Sequence, residues 1–255
     1  MTTEVRTDLE AYRVAIAELP LRAAATREPS GAVVAVSGAG EWWKRAAEAL
    51  AAGAAAVVVA QPGPAPVTEL DALATRAGDT PLVFERALLP SDVVDDLENA
   101  LTEVPAPSAL VVECHSPGAT LSSALADALG WARTLGRGSL VHRSGSPSRG
   151  HRLALLEAAG GVPVSVVFGT QAGAPQWGRI RLTALGGTLI ELEGGDRGIQ
   201  VTMTDAASRR TLPTRFESPQ RLALRRAIEA LERGAPTADL ADLRRDAALA
   251  EAIGR

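Results

Sequence analysis

The chain has 255 residues, 46% of them hydrophobic, a formal net charge of -4 and a mean hydropathy of +0.08, so it can bury one large core or two modest ones. Charges of both signs are interspersed, which leaves no basic face for nucleic acid, and no run of about 18 apolar residues offers a membrane-spanning helix. The single cysteine, Cys114, rules out an internal disulfide and a multi-cysteine metal site, and the N-terminal stretch carries Glu4, Arg6, Asp8 and Glu10 where a signal peptide would be apolar; both point to the cytoplasm.

Leu9 to Arg27 has apolar residues at helical spacing broken at Pro20, which predicts a helix and a short strand at Leu21 to Ala25. A regular alternation follows: strand Ala32 to Val36, helix Glu41 to Ala52 closed by Gly53, strand Ala55 to Ala60, helix Val67 to Ala77, strand Pro81 to Glu85 and helix Pro90 to Thr102. Continuously apolar strands between helices describe a parallel sheet covered on both faces. After Pro105-Ala106-Pro107 the pattern changes to strand Ala109 to Cys114, helix Thr120 to Leu135, and strands at Val162 to Phe168, Arg179 to Ala184, Thr188 to Glu193 and Gly198 to Thr204. The glycine pairs 186-187 and 194-195 are hairpin signals, so this second sheet is mostly antiparallel. Helices Pro219 to Arg233 and Ala238 to Ile253 close the chain, and the stretch from Ser144 to Gly150 reads as a low-complexity loop. The fold class is therefore α/β, with a truncated Rossmann-like parallel sheet in residues 1-106 and an α+β domain with a mostly antiparallel sheet in residues 107-255.

Residues Ala32 to Pro62, AVVAVSGAGEWWKRAAEALAAGAAAVVVAQP, resemble a region of the glucose-fructose oxidoreductase / inositol dehydrogenase (Gfo/Idh/MocA) family. There a strand, a loop, a helix ending in Ala-Gly and a second strand run into a Glu-Lys-Pro motif. Val67 to Leu97, Arg179 to Leu192 and Phe216 to Ile253 extend the likeness over about four fifths of the chain, as a truncated and degenerate member. The resemblance implies NAD or NADP chemistry on the CH-OH groups of a sugar or polyol, and it also shows what this chain departs from. Only 31 residues precede the first strand of the alternation, with Gly31 their single glycine, where the family's first strand and glycine-rich loop belong. A dinucleotide needs backbone amides at a helix start, reached through closely spaced glycines. The candidate here is Gly38-Ala39-Gly40-Glu41-Trp42-Trp43, with Trp43 where a small residue packs helix on sheet, Glu41 facing the phosphates, and Gln61 where a ribose-binding acid closes the next strand. A plain strand-to-helix turn is the competing reading.

The family's Glu-Lys-Pro falls on Ala60-Gln61-Pro62, so the lysine that assists proton transfer is a glutamine, which hydrogen-bonds but is no acid or base near neutral pH. The only lysine, Lys44, lies on the preceding helix. The histidine the family places after an aspartate on the helix 120-135 is also missing, leaving Asp127 and Arg133. Other pocket candidates are Glu85 and Arg86 at the end of the third strand, which read equally as a surface ion pair, and Glu113 and His115 at the end of the fourth, with His115 alternatively a loop histidine. His142, Arg143, Arg149, His151 and Arg152 form a basic loop that could grip an anion or simply be solvated. Adjacent Trp42 and Trp43 cannot both face one core. No Gly-x-Ser-x-Gly and no metal-ligand spacing is present.

Two readings stand. The leading one is a noncatalytic, oxidoreductase-like binding or partner subunit without cofactor, a homodimer or a hetero-oligomer with an active relative, with a small-molecule ligand possible and neither nucleic acid nor membrane as partner. The other is an active NAD(P)-dependent sugar or polyol oxidoreductase with a rearranged site using Gln61, His115 or Asp127. A third possibility, a purely structural partner without any small-molecule pocket, predicts a filled cleft near Gln61 and His115.

Overall fold

The computed structural model describes residues 2-148 and 150-254. In chain order the elements are β1 (Thr3–Thr7), α1 (Glu10–Ala17), β2 (Ala23–Ala25), β3 (Val33–Ser37), α2 (Trp42–Ala51), β4 (Ala56–Ala60), α3 (Val67–Ala77), β5 (Leu82–Glu85) and α4 (Ser91–Leu101). Then come β6 (Ala109–Ser116), α5 (Leu121–Leu135), β7 (Val141–Ser148), β8 (His151–Ala158), β9 (Val162–Thr170), β10 (Arg179–Leu185), β11 (Leu189–Gly195), β12 (Gly198–Thr204), β13 (Arg209–Thr211), α6 (Pro219–Arg233) and α7 (Asp239–Gly254). Two compact units result: Met1–Arg86 with Phe216–Arg245, and Ala87–Arg215 with Asp246–Arg255. The boundary read from the sequence, between 106 and 107, falls inside the second unit, which already includes α4, and α6 with the start of α7 returns to the first. Proline punctuation marks a loop, whereas the unit boundary is set by long-range packing.

The first unit is a parallel sheet of order β2-β1-β3-β4-β5. The short strand expected at Leu21 to Ala25 is β2, whereas β1 was not read from the sequence, and the helix between them is only Glu10–Ala17. Alternate residues of the valine-rich strands point to opposite faces. Val33, Val58 and Val83 pack with Tyr12 and Ile16 of α1 and with Leu224 and Ile228 of α6, forming one continuous core. Helix α6 starts at Pro219 under a Ser218 cap, whose hydroxyl accepts the Arg221 amide at 3.3 Å, and stops at Gly234 with φ 62°. The outer edge of β5 is covered from the same segment. Thr237 donates to the Leu82 carbonyl, and Asp239, paired with Arg226 at 2.7 Å, accepts the Phe84 amide at 3.1 Å. These bonds satisfy an edge strand that would otherwise expose its peptide groups.

The second unit is a sheet of order β13-β12-β11-β10-β6-β9-β8-β7, antiparallel except for the β6–β9 pair. Its inner face, with Leu110, Val112, Cys114, Val166, Ile180, Leu182 and Leu192, packs on Leu125, Leu129 and Trp131 of α5. Helix α5 is buried on almost every side, as its alanine-rich sequence allows. Of the segment expected as a loop at 144-150, residues 144-148 belong instead to β7, which pairs with β8 and puts His142, Arg143, His151 and Arg152 on strands; Arg149 lies outside the described residues. Serine and glycine masked the strand period there. The fold is thus α/β, a Rossmann-like parallel sheet plus a mostly antiparallel sheet, as the sequence pattern implies.

Candidate functional site

In open parallel sheets the ligand crevice lies beyond the carboxyl ends of the strands, where the strand order reverses. In the first unit that point lies between β1 and β3. The turn after β1 is Thr7-Asp8-Leu9-Glu10, without a glycine. Thr7 Oγ1 donates to the Ala35 carbonyl of β3 at 3.2 Å and accepts the Leu9 amide at 3.1 Å, so one side chain bridges the two strands and uses an amide at the start of α1. Asp8 and Glu10 are exposed beside the same helix start. They put two carboxylates where a bound anion would meet the positive end of the helix.

The turn after β3 is tied down as well. Gly38 donates to the Ala60 carbonyl at 2.7 Å and accepts the Gly63 amide at 2.8 Å. A Cβ at Gly38 would overlap the carbonyl groups of Ala60 and Gln61, so glycine here serves the close approach of two chain segments. Arg45 reaches back to the carbonyls of Ser37, at 2.9 Å, and Ala39. Trp42 is fully buried, donates from Nε1 to the Gly63 carbonyl at 2.9 Å and meets Phe84 edge-on at 5.5 Å, while Trp43 is half-buried against it. The candidate glycine loop is thus a strand-to-helix turn whose peptide groups bind the end of β4.

Next along this edge stands a buried polar cluster. Glu85, the last residue of β5, is 5% exposed. Its Oε2 accepts the Tyr12 hydroxyl of α1 at 2.6 Å, and its Oε1 accepts Nε2 of Gln220 in α6 at 2.9 Å. The Gln61 side chain is a third hydrogen-bond partner, and the Gln61 amide donates to the Glu85 carbonyl at 2.9 Å. Gln61 holds φ 51°, the left-handed region that a non-glycine residue adopts only at a cost. Burial pushes the Glu85 carboxyl above its ordinary range, and the donors from Tyr12, Gln220 and Gln61 pull it part of the way back. Burial, then the neighbouring Glu85 charge, drives the Tyr12 phenol upward. Arg86 follows, half-buried. Glu85 and Gln61 therefore meet, joined by Tyr12 and Gln220.

In the second unit the remaining candidates separate onto two faces of the sheet. Asp127, on α5, is 6% exposed; its Oδ2 accepts the Leu88 amide at 2.9 Å, and Trp131, one turn on, donates from Nε1 to the Leu88 carbonyl at 2.6 Å. The pair grips both polar groups of one peptide unit, a positioning role for the chain after β5. Cys114 points to the same side, its thiol pushed up to about 12 by burial and then by the Asp127 charge, which leaves it unreactive at neutral pH. Glu113 and His115 alternate with Cys114 and lie half-buried on the opposite face, where His115 meets His151 of β8 with ring centres 5.5 Å apart. Among the described residues no group of three His, Cys, Asp or Glu is placed to hold a metal.

Tyr12, Gln220 and Thr7 were not named from the sequence. Thr7 could have been: Thr3, Val5 and Thr7 alternate as β-branched residues, a strand signature that leads into the first turn. No local signal announces Gln220, which reaches Glu85 from 135 residues away.

No protein-family model matches the sequence, and no curated protein matches it. Solved structures do. UDP-N-acetylglucosamine 3-dehydrogenase GnnA from Acidithiobacillus ferrooxidans is similar with a TM-score of 0.70 and 13% identity, over 100% of this chain and 96% of that one. A dehydrogenase, MviM, from Clostridium difficile gives 0.68 and 10%, over 98% and 89%. KijD10, a 3-ketoreductase from Actinomadura kijaniata in complex with NADP, gives 0.67 and 15%, over 100% and 97%. The chain shares the fold of these dehydrogenases and ketoreductases, the architecture that its resemblance to the Gfo/Idh/MocA family implies.

Proposed function

We propose that this chain, built on a sugar-dehydrogenase fold, is a noncatalytic partner subunit that binds neither NAD nor NADP. The observation that carries the reading is the turn Thr7 to Glu10. A pyrophosphate requires free amides at a helix start and close backbone approach. Here the Leu9 amide is taken by Thr7, the same hydroxyl bonds β3, and Asp8 and Glu10 repel phosphate. The residues of this turn do not fit the group.

The cluster beyond it supports the same reading. Glu85 engages Tyr12, Gln220 and Gln61, so its lone pairs are directed at protein donors, and Trp42 fills the space under the second turn. Gln61 in place of lysine and a helix α5 without histidine remove the proton-transfer groups that the family resemblance implies. A filled edge of this kind suits a subunit whose work is done by its surface.

That surface, in our reading, is the face of the eight-stranded sheet opposite α5. It presents Leu153 and Leu155, 48% and 45% exposed, on β8. A sheet face with apolar residues in the open is covered by another subunit, here a second copy or an active relative. A cytoplasmic setting completes the proposal: no helix among the described residues is long and apolar enough to cross a membrane, and the one cysteine is buried and unpaired.

Calorimetry with NAD+, NADP+ and their reduced forms at millimolar concentration tests it. The reading expects no saturable heat. Saturable binding with turnover of any sugar or polyol would overturn it in favour of a rearranged active enzyme.

A further inference from the structure

We propose that His115 and His151 form a two-imidazole site for a late divalent transition-metal ion on the open face of the second unit. The two residues lie on β6 and β8, with β9 between them. Neighbouring strands are about 4.8 Å apart, so side chains two strands away are separated by about 10 Å at the backbone. Yet these rings are 5.5 Å apart, at an interplanar angle of 72°.

Gly169 makes this approach possible. In β9 it pairs with His115 on one side and with His151 on the other, so the three residues form one cross-strand row. A Cβ at Gly169 would come within 2.9 Å of His151 Cδ2 and 2.6 Å of the Gly150 carbonyl. Any larger residue would occupy the gap over which the two rings meet.

The spacing suits chelation. With metal–nitrogen bonds of about 2.1 Å and a near-tetrahedral angle, two imidazole ring centres sharing one ion fall about 5 Å apart. Imidazole is a ligand for Zn2+, Cu2+ and Ni2+, with Cu2+ bound most tightly of the series. Because no third His, Cys, Asp or Glu among the described residues completes a cluster, the remaining coordination positions fall to water in the free chain or to the subunit that covers this face. Two charges flank the row: Arg179 pairs across from His115, and Glu113 lies two residues before it on the same face. They oppose each other in sign, so the imidazoles set the affinity.

The test is calorimetric titration of the tag-free, full-length chain with CuCl2 and, separately, ZnCl2 at pH 7.5. The expected result is one ion per chain, Cu2+ tighter than Zn2+, with at least tenfold weaker binding in His115→Ala and in His151→Ala and unchanged binding in His142→Ala. Gly169→Ala keeps both ligands but fills the gap, and its affinity drops as well, with circular dichroism reporting that the sheet is intact. Absence of saturable binding by either ion, or binding that survives both His115→Ala and His151→Ala, overturns the proposal.

Discussion

Replacing Tyr12 by Phe probes the cluster around Glu85 with the smallest change available. The phenol donates to Glu85 Oε2 at 2.6 Å, and the two residues are 1% and 5% exposed. Removing one oxygen leaves the ring and its packing in place, so the loss is the hydrogen bond alone. A hydrogen bond to a charged group contributes about 1.5–3 kcal/mol, and one between neutral groups about 0.5–1.5. The effect therefore depends on the charge state of Glu85. Tyr12→Phe costs about 2 kcal/mol on the alkaline side of the raised Glu85 titration, where the carboxylate is ionised, and about half as much on the acid side, where it is protonated. Urea unfolding followed by circular dichroism reads this as a midpoint shift of roughly 1 M at the higher pH for a slope near 2 kcal/mol per molar, and half that at the lower. Equal shifts on both sides of the titration, or none on the alkaline side, would refute the assignment of Glu85 as a buried carboxyl that depends on its donors.

Glu85→Gln carries the complementary expectation. The folded chain holds the Glu85 proton above the pH at which the unfolded chain releases it, so stability falls as pH rises from the ordinary carboxylate range through the raised folded value. The glutamine variant lacks that decline, and a pH series of urea midpoints comes out flatter than for the parent. Gly38→Ala forces a Cβ into the carbonyls of Ala60 and Gln61 and costs on the order of 3 kcal/mol or more, visible as a lowered melting temperature with Trp42 fluorescence lost early. Asp127→Asn keeps an acceptor for the Leu88 amide but removes the charge that helps raise Cys114. Its thiol should react faster with a disulfide reagent at pH 8 than the parent's, whereas a thiol held up by burial alone would react no faster. Sedimentation of the parent chain should give a dimer if a second copy covers the open face, and Leu153→Glu with Leu155→Glu should yield a monomer of unchanged circular dichroism.

Much of the architecture was legible because it rests on local pattern. The valine runs of β3 and β4 and the apolar spacing of α3 and α6 fix strands and helices within a few residues of each other's neighbours, and the glycine pair 186-187 marks the turn between β10 and β11. Two stretches escaped for physical reasons. Strand β1 is short and reads Thr-Glu-Val-Arg-Thr, with one apolar residue in five, because its burial comes from α1 and β3 rather than from its own composition. The β7–β8 hairpin is rich in serine, glycine and charge and is held by ladder pairing, which no periodicity records. The site divided in the same way. Gln61 and Glu85 follow from their position at strand ends, the place where a parallel sheet gathers polar residues. Tyr12 and Gln220 could be found only once the fold brought α1 and α6 over β5. His115 and Asp127, close in sequence pattern, face away from each other because successive residues of β6 point to opposite sides of the sheet.

The first turn decides the account. Backbone amide spectra of the labelled chain, recorded with and without 5 mM NADP+ (a concentration of about the order at which weak non-covalent binding registers), report directly on Leu9, Glu10, Gly38 and Ala39. The account expects these resonances to stay where they are. A saturable shift centred on them would show a dinucleotide seated at the start of α1 and would contradict it.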